Sequence, residues 1–108
     1  MIVRDTNTNP THIRIDTLDI DGRTLVADPP LELEVVEEPD PNGDLCWIVD
    51  DMDWSLAEAN QTVGELELDV RSELRTSWRE YAEADDDELS PAAIGLKRRL
   101  RERFKEQA

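Results

Sequence analysis

The stretch that most constrains this chain runs over residues 62–81. Thr62 and Glu65 form T-x-x-E, in which the threonine hydroxyl accepts from the backbone N–H three residues on and the glutamate reaches back. After that cap, Val63, Leu66, Val70, Leu74, Trp78 and Tyr81 recur at spacings of three and four, while Glu67, Asp69, Glu73 and Arg79 fall outside the stripe. The spacing predicts one long amphipathic helix ending near Ala84. A helix with a single apolar face needs a platform, and the sixty residues before it read as strands that supply one.

His12 to Asp16 alternate with Ile13 and Ile15 on one face, and Leu18 and Ile20 continue on the other parity. A bulge near Asp16-Thr17 accommodates the change of phase. Asp21-Gly22 is a two-residue turn signal, since glycine tolerates the positive φ of a type I′ turn. Residues 23–27 return as the partner strand, ended by Asp28-Pro29-Pro30. Leu31, Leu33 and Val35 then alternate with Glu32 and Glu34, a strand with its acids facing water.

Pro39-Asp40-Pro41-Asn42-Gly43-Asp44 reads as a hairpin loop. The run Leu45-Cys46-Trp47-Ile48-Val49 is apolar throughout and suggests a central strand buried on both faces. Met52, Trp54 and Leu56 resume alternation, so a last strand runs to about Ala59. Beyond the long helix, Asp85 to Glu88 belong to an acidic linker over residues 85–90. Ser90-Pro91 opens a second, shorter helix, with serine as N-cap and proline at the first helical position. Ala93, Leu96, Leu100 and Phe104 form its stripe.

The expected fold is α+β: an antiparallel sheet of three to five strands, one face covered by the long helix, plus a shorter C-terminal helix. A chain of 108 residues holds one such domain, with residues 1–11 as a flexible N-terminal arm. No apolar run approaches the ~20 residues of a membrane span, and the first residues carry no signal-peptide core. The single cysteine, Cys46, permits no internal disulfide and sits among apolar neighbours as a small core residue. These features predict a cytoplasmic protein.

Acids outnumber bases by 27 to 12, a formal charge of −15. The excess is concentrated before residue 61, where three arginines face fifteen acids. Such a surface disfavours nucleic acid, whose recognition rests on Lys and Arg. It points either to salt adaptation, which the ten arginines against two lysines suit, or to a basic partner. The second helix is the only basic element: residues 97–108 hold six cations and two acids, with Lys97, Arg101 and Lys105 on one flank at i, i+4, i+8. With Leu68, which points away from the main stripe, these three are the candidate partner-contact residues.

Catalytic signatures are missing from the pattern. His12 has no serine or cysteine near it in sequence to activate, and no glycine-rich phosphate loop occurs. Asp40 to Asp44 fails as a calcium loop, because its glycine stands fourth rather than sixth. Asp50, Asp51 and Asp53 are the one cluster that a metal-dependent hydrolase would employ, which leaves a small acidic-cluster enzyme as the alternative reading. We expect no enzyme, no metal and no cofactor.

The strand residues 31–35 and 45–49, followed by Thr62-Val63-Gly64-Glu65-Leu66 leading into the helix, resemble the small HicB-like proteins, antitoxins of toxin–antitoxin pairs. The likeness spans about residues 31–82. It implies a helix packed on a three-stranded sheet, oligomer formation, and binding of a small toxin-like protein. The chain departs from that pattern at Asp50-Asp51-Met52-Asp53, where a Pro-Gly segment is usual, and at Gly64. Residues 90–104 supply one helix and no DNA-binding domain, so operator binding is not implied. The uncovered second sheet face and Leu68 predict a homodimer.

Overall fold

The computed structural model describes residues 12–107, so the expected N-terminal arm lies outside the described residues. The chain is α+β, with two three-stranded antiparallel sheets and two helices. β1 (His12–Ile20), β2 (Arg23–Glu34) and β6 (Phe104–Glu106) form a hairpin sheet in the order β1-β2-β6. β3 (Val36–Pro39), β4 (Leu45–Asp51) and β5 (Leu56–Asn60) form a meander sheet in chain order. Only Val35 separates β2 from β3, so one line of chain passes from the first sheet into the second.

The phase change in β1 is real: Ile13, Ile15, Leu18 and Ile20 are all buried. The extra residues, however, stand on the opposite strand. Ile15 pairs with Leu31 and Thr17 with Val26, so Asp16 alone faces the segment from Ala27 to Pro30. The two prolines therefore interrupt β2 without ending it, and residues 31–34 pair with β1 instead of opening a separate strand. A proline lacks only its own N–H, and a bulge needs no ladder bond at that place. Asp21 and Gly22 both take positive φ, 51° and 78°, as the tight turn between β1 and β2 requires.

Three further expectations need correction. β4 is the central strand of its sheet, yet only Val49 is buried. Leu45 is 55% exposed, and Cys46 and Ile48 are half-buried on the face without a helix. Cys46 is thus no core residue, because alternation gives the core side of β4 to Trp47 and Val49. Met52 to Ser55 form a tight turn with Ser55 at φ 55°, and the last strand begins only at Leu56. Phe104 leaves the second helix and starts β6, which pairs with Leu25–Ala27.

α1 (Val63–Ser77) begins at the expected cap: Thr62 Oγ1 accepts from Glu65 N at 3.1 Å. The Glu65 carboxylate accepts from the same hydroxyl, also at 3.1 Å. Leu66, Val70 and Leu74 are fully buried, and Val63 and Tyr81 pack at the margin. The helix continues as a π-helical turn over Trp78–Ala82, closed by Glu83 N–H donating to Trp78 O at 3.0 Å. That wider turn keeps Trp78 and Ala82 on the buried side. A 3₁₀ turn at Asp86–Glu88 links to α2 (Pro91–Arg103), whose N-cap Ser90 Oγ accepts from Ala93 N at 3.2 Å. α1 packs on β5, β4 and β1, and α2 on β2, β6 and the π turn. One helical layer thus covers one face of both sheets, and the core lies between.

Candidate functional site

Lys97 and Arg101 lie one turn apart on α2, but Lys105 follows Phe104 into β6, so the expected flank of three cations on one helix is not formed; each of the three donates to a backbone carbonyl. Lys97 Nζ reaches Ala84 O and the Asp86 carboxylate (2.9 Å), Arg101 Nε reaches Ala82 O (2.7 Å), and Lys105 Nζ reaches Arg101 O (2.7 Å). Two of these acceptors lie at the end of the π turn, where a helix leaves carbonyls unsatisfied. The hydrogen bond from Lys97 holds the Asp86 carboxyl below its usual range, with the attraction of the same charge adding to it. Leu68 lies elsewhere, 66% exposed on the outer side of α1. The fold does not bring it together with the three cations.

Other arginines are used in the same way. Arg71 and Arg75 on α1 and Arg79 on the π turn, four residues apart, run beside the outer edge of β1. Arg71 Nη1 donates to Thr17 O (2.8 Å), Arg75 Nε to Asp19 O (2.7 Å), and Arg79 to both carboxylate oxygens of Asp21 (3.1 and 3.2 Å). Arg79 thereby lowers the Asp21 pKa, chiefly through the hydrogen bond. Arg99 Nε donates to Asp53 O (2.7 Å), and Arg103 stacks over Trp54 at 5.3 Å. The cleft of about 390 Å³ beside them also holds Asp28, Asp53 and Glu102, so acids outnumber its two arginines by one and it offers no cationic site.

Lys97, Arg71 and Arg79 also pair with Asp86, Glu67 and Asp21, but Arg75, Arg99, Arg101 and Lys105 bond to carbonyls and form no ion pair among the described residues. Much of the acid is thus left facing water uncompensated, and self-repulsion should weaken the fold at low ionic strength. The melting temperature is expected to rise with added salt, most steeply below about 0.3 M, where the Debye length shortens fastest. A flat profile over that range would contradict the uncompensated surface.

Where, then, does a surface suited to a partner lie? The outer face of the hairpin sheet is polar and internally paired: Arg14 bridges Asp16 (2.9 Å) and Glu32 (3.5 Å), and Thr24 Oγ1 donates to Asp19 (2.8 Å). The meander sheet differs. Its cross-strand pairs align Val36, Ile48 and Ala59 in one row, with Cys46 and Ala57 beside it and Glu38 and Asp50 at its borders. Val36 is 42% exposed, Ala57 and Ala59 are exposed, and Met52 projects at the end of the face, 88% exposed. The result is an apolar strip with an acidic rim and, among the described residues, no helix on it.

The acids proposed for metal chemistry do not converge. Asp50 and Asp51 are successive strand residues and point to opposite faces, and Asp51 Oδ1 accepts from Asp53 N (3.0 Å) within the turn. Asp40 Oδ1 likewise accepts from Asn42 N and Asp44 N (2.8 and 2.9 Å), which shapes the β3–β4 loop. Among the described residues no group of three or more His, Cys, Asp or Glu side chains is arranged to hold a metal ion. His12 lies exposed at the start of β1.

One carboxylate stands apart and carried no signal in the sequence. Glu58, between two alanines on β5, points toward α1 on the same side as Val49. Burial there raises its pKa, and repulsion from Glu73 and Asp69 adds to the rise. A raised acid means that the fold holds a proton which the unfolded chain has already released. Its ionisation therefore costs stability as pH climbs through the folded pKa. Glu58→Gln should raise the melting temperature at neutral pH, and the gain should shrink to nothing as pH falls below the ordinary carboxylate range. A gain independent of pH would rule out this account.

No helix among the described residues is long and apolar enough to cross a membrane. No family model, no curated protein and no solved structure matches the chain.

Proposed function

We propose that this chain is a non-catalytic protein-interaction module, HicB-like in architecture, that receives a small basic, toxin-like protein on the outer face of its meander sheet. The observation that carries this reading is the row Val36–Ile48–Ala59, which no described helix covers, between the acids Glu38 and Asp50. An exposed apolar patch with a polar rim marks an interaction surface, and an acidic rim favours a cationic partner. The order β3-β4-β5-α1, three strands with the helix packed on two of them, also supports the family resemblance.

Co-expression with the product of the neighbouring reading frame tests the proposal. A stoichiometric complex that weakens as salt rises is expected. Ala59→Arg, placing a cation within the exposed face, should abolish it without altering the melting temperature. Absence of any stoichiometric complex would count against the module, as would a complex indifferent to Ala59→Arg.

Self-association is a second reading, favoured by the same face and by Leu68. Across a twofold axis the acidic rims of two copies would approach each other, so dimerisation should need salt to screen them. Light scattering in about 0.5 M salt should then give twice the 12.4 kDa of one chain. A species of one chain mass excludes the dimer.

A further inference from the structure

The two sheets have four outer edges, and they differ in how far each is covered. On β1 the carbonyls of Thr17 and Asp19 are taken by Arg71 and Arg75. β6 is three residues long, its pairing is extended by Gln107 N–H on Thr24 O (3.0 Å), and Glu106 is held by Arg23 (3.1 Å). β5 runs directly into the cap of α1, where Asn60 Nδ2 donates to Asp69 (2.8 Å), and it is half-covered, with Leu56 buried and Glu58 and Asn60 part-buried. The most open edge is β3. All four of its residues are exposed, and among the described residues no side chain bonds to its backbone. A strand edge left in that state is a template for pairing with another chain.

We propose that β3 is a receiving edge: an extended, cationic segment of the partner adds to it as a fourth, antiparallel strand of the meander sheet. This deepens the interaction-module reading and rests on it, by naming the edge and the conformation of what binds there. Charge selects the occupant. Glu37 and Glu38 point to opposite faces of the strand, and neither forms an ion pair among the described residues. A second copy of β3 would set these acids against each other, which is destabilising across a strand pair. A basic strand would place one cation on each face. Opposite Val36 it would place an apolar residue, which extends the row Val36–Ile48–Ala59 by one strand. Pro39 lacks a donor and ends the receiving segment, so main-chain pairing is confined to residues 36–38. Main-chain bonds would give affinity and the alternate side chains specificity. Read along an antiparallel partner, the sequence facing Glu38, Glu37 and Val36 is Lys-Lys-Val.

The probe is a capped peptide with a Lys-Lys-Val core flanked by threonines, titrated into the full chain at low salt. Two further versions carry N-methyl groups on alternate amides, one set for each edge of the peptide. Strand addition requires one methylated version to lose affinity by at least about tenfold while the other retains it. New hydrogen-exchange protection should appear at residues 36–38. Equal binding by all three peptides would mean attraction by charge alone and would overturn the proposal. So would the same protection appearing in concentrated protein without peptide, because the occupant would then be a second copy.

Glu37→Lys combined with Glu38→Lys, both at exposed positions, should weaken the peptide by a similar factor without lowering the melting temperature. Ala59→Arg should leave peptide binding intact. A neighbour-product complex lost in Ala59→Arg but untouched by the Glu37/Glu38 reversal would preserve the module and overturn the receiving edge. Failure to find any such complex would sink the module reading, while the methylated peptides still decide the edge.

Discussion

Truncating Trp78 to alanine is expected to destabilise the fold by about 3–5 kcal/mol. For a domain near this size that lowers the melting temperature by at least about 10 °C. Trp78 opens the π turn, is 4% exposed, and packs where α2 crosses the end of α1, with the Arg101 guanidinium 5.5 Å from its ring centre. The alanine variant loses ring burial, the cation–π contact, and the surface on which Arg101 rests. A more delicate outcome concerns Trp78→Phe. The buried indole Nε1 has no hydrogen-bond partner. Phenylalanine sheds that unsatisfied donor along with part of the ring, so its cost should be well below that of alanine. Thermal melts of the three proteins settle both points. An unchanged melting temperature in Trp78→Ala would show that the helices do not meet on this side chain.

Phe104→Ala should be comparably severe, again about 3–5 kcal/mol, but with a different local signature. Phe104 is 1% exposed and is the residue at which α2 becomes β6. Its ring is the one buried side chain of β6, whose other ties are the ladder to β2 and the exposed contacts of Lys105 and Glu106. Amide exchange should therefore quicken first at residues 104–107 and along Leu25–Ala27, their partners on β2. Leu100→Ala, one turn earlier on the same stripe, should cost about 2–5 kcal/mol without releasing β6 selectively. Uniform loss of protection in both variants would mean that β6 is no separate local unit.

The sequence made some of this visible and hid the rest for identifiable reasons. The stripe of α1, its cap at Thr62, the cap at Ser90 and the turn at Asp21-Gly22 depend on neighbours within four residues, so they could be read along the chain. β6 could not, because Phe104 stands four residues after Leu100 and completes a helical pattern. The ladder that withdraws it from the helix lies on β2, far away in sequence. Asp28-Pro29-Pro30 looked like a terminator for a related reason, since the pairing that carries β2 past the bulge is supplied by β1. The apolar run at 45–49 promised burial on two sides, whereas a helix covers only one.

Among the candidate site residues, the exposure of Leu68 followed from its place off the stripe. The pair Lys97 and Arg101 was also visible as a spacing, whereas Lys105 leaves the helix with Phe104. The acceptors of all three were not, because carbonyls have no sequence signature. Glu58 was invisible, as nothing between two alanines announces a helix passing overhead. The open row Val36–Ile48–Ala59 needed the register of three strands before it existed as a surface at all.

The arginines on α1 also govern how that helix can move. Four helical residues advance about 6 Å and two strand residues about 6.7 Å. Arg71 and Arg75 can therefore meet Thr17 and Asp19 with a misfit well under an ångström, which long side chains absorb. By the third rung the strand has become a turn, and Arg79 finds the Asp21 carboxylate in place of a carbonyl. Such a rack-and-pinion match resists sliding. Shifting α1 along β1 by one residue would misalign all three rungs together, so no intermediate position is stabilised. Rolling about the axis of β1 strains the rungs far less. Any give in this molecule should accordingly come as a tilt of the helix about the hairpin edge, with the far margin of the meander sheet travelling furthest.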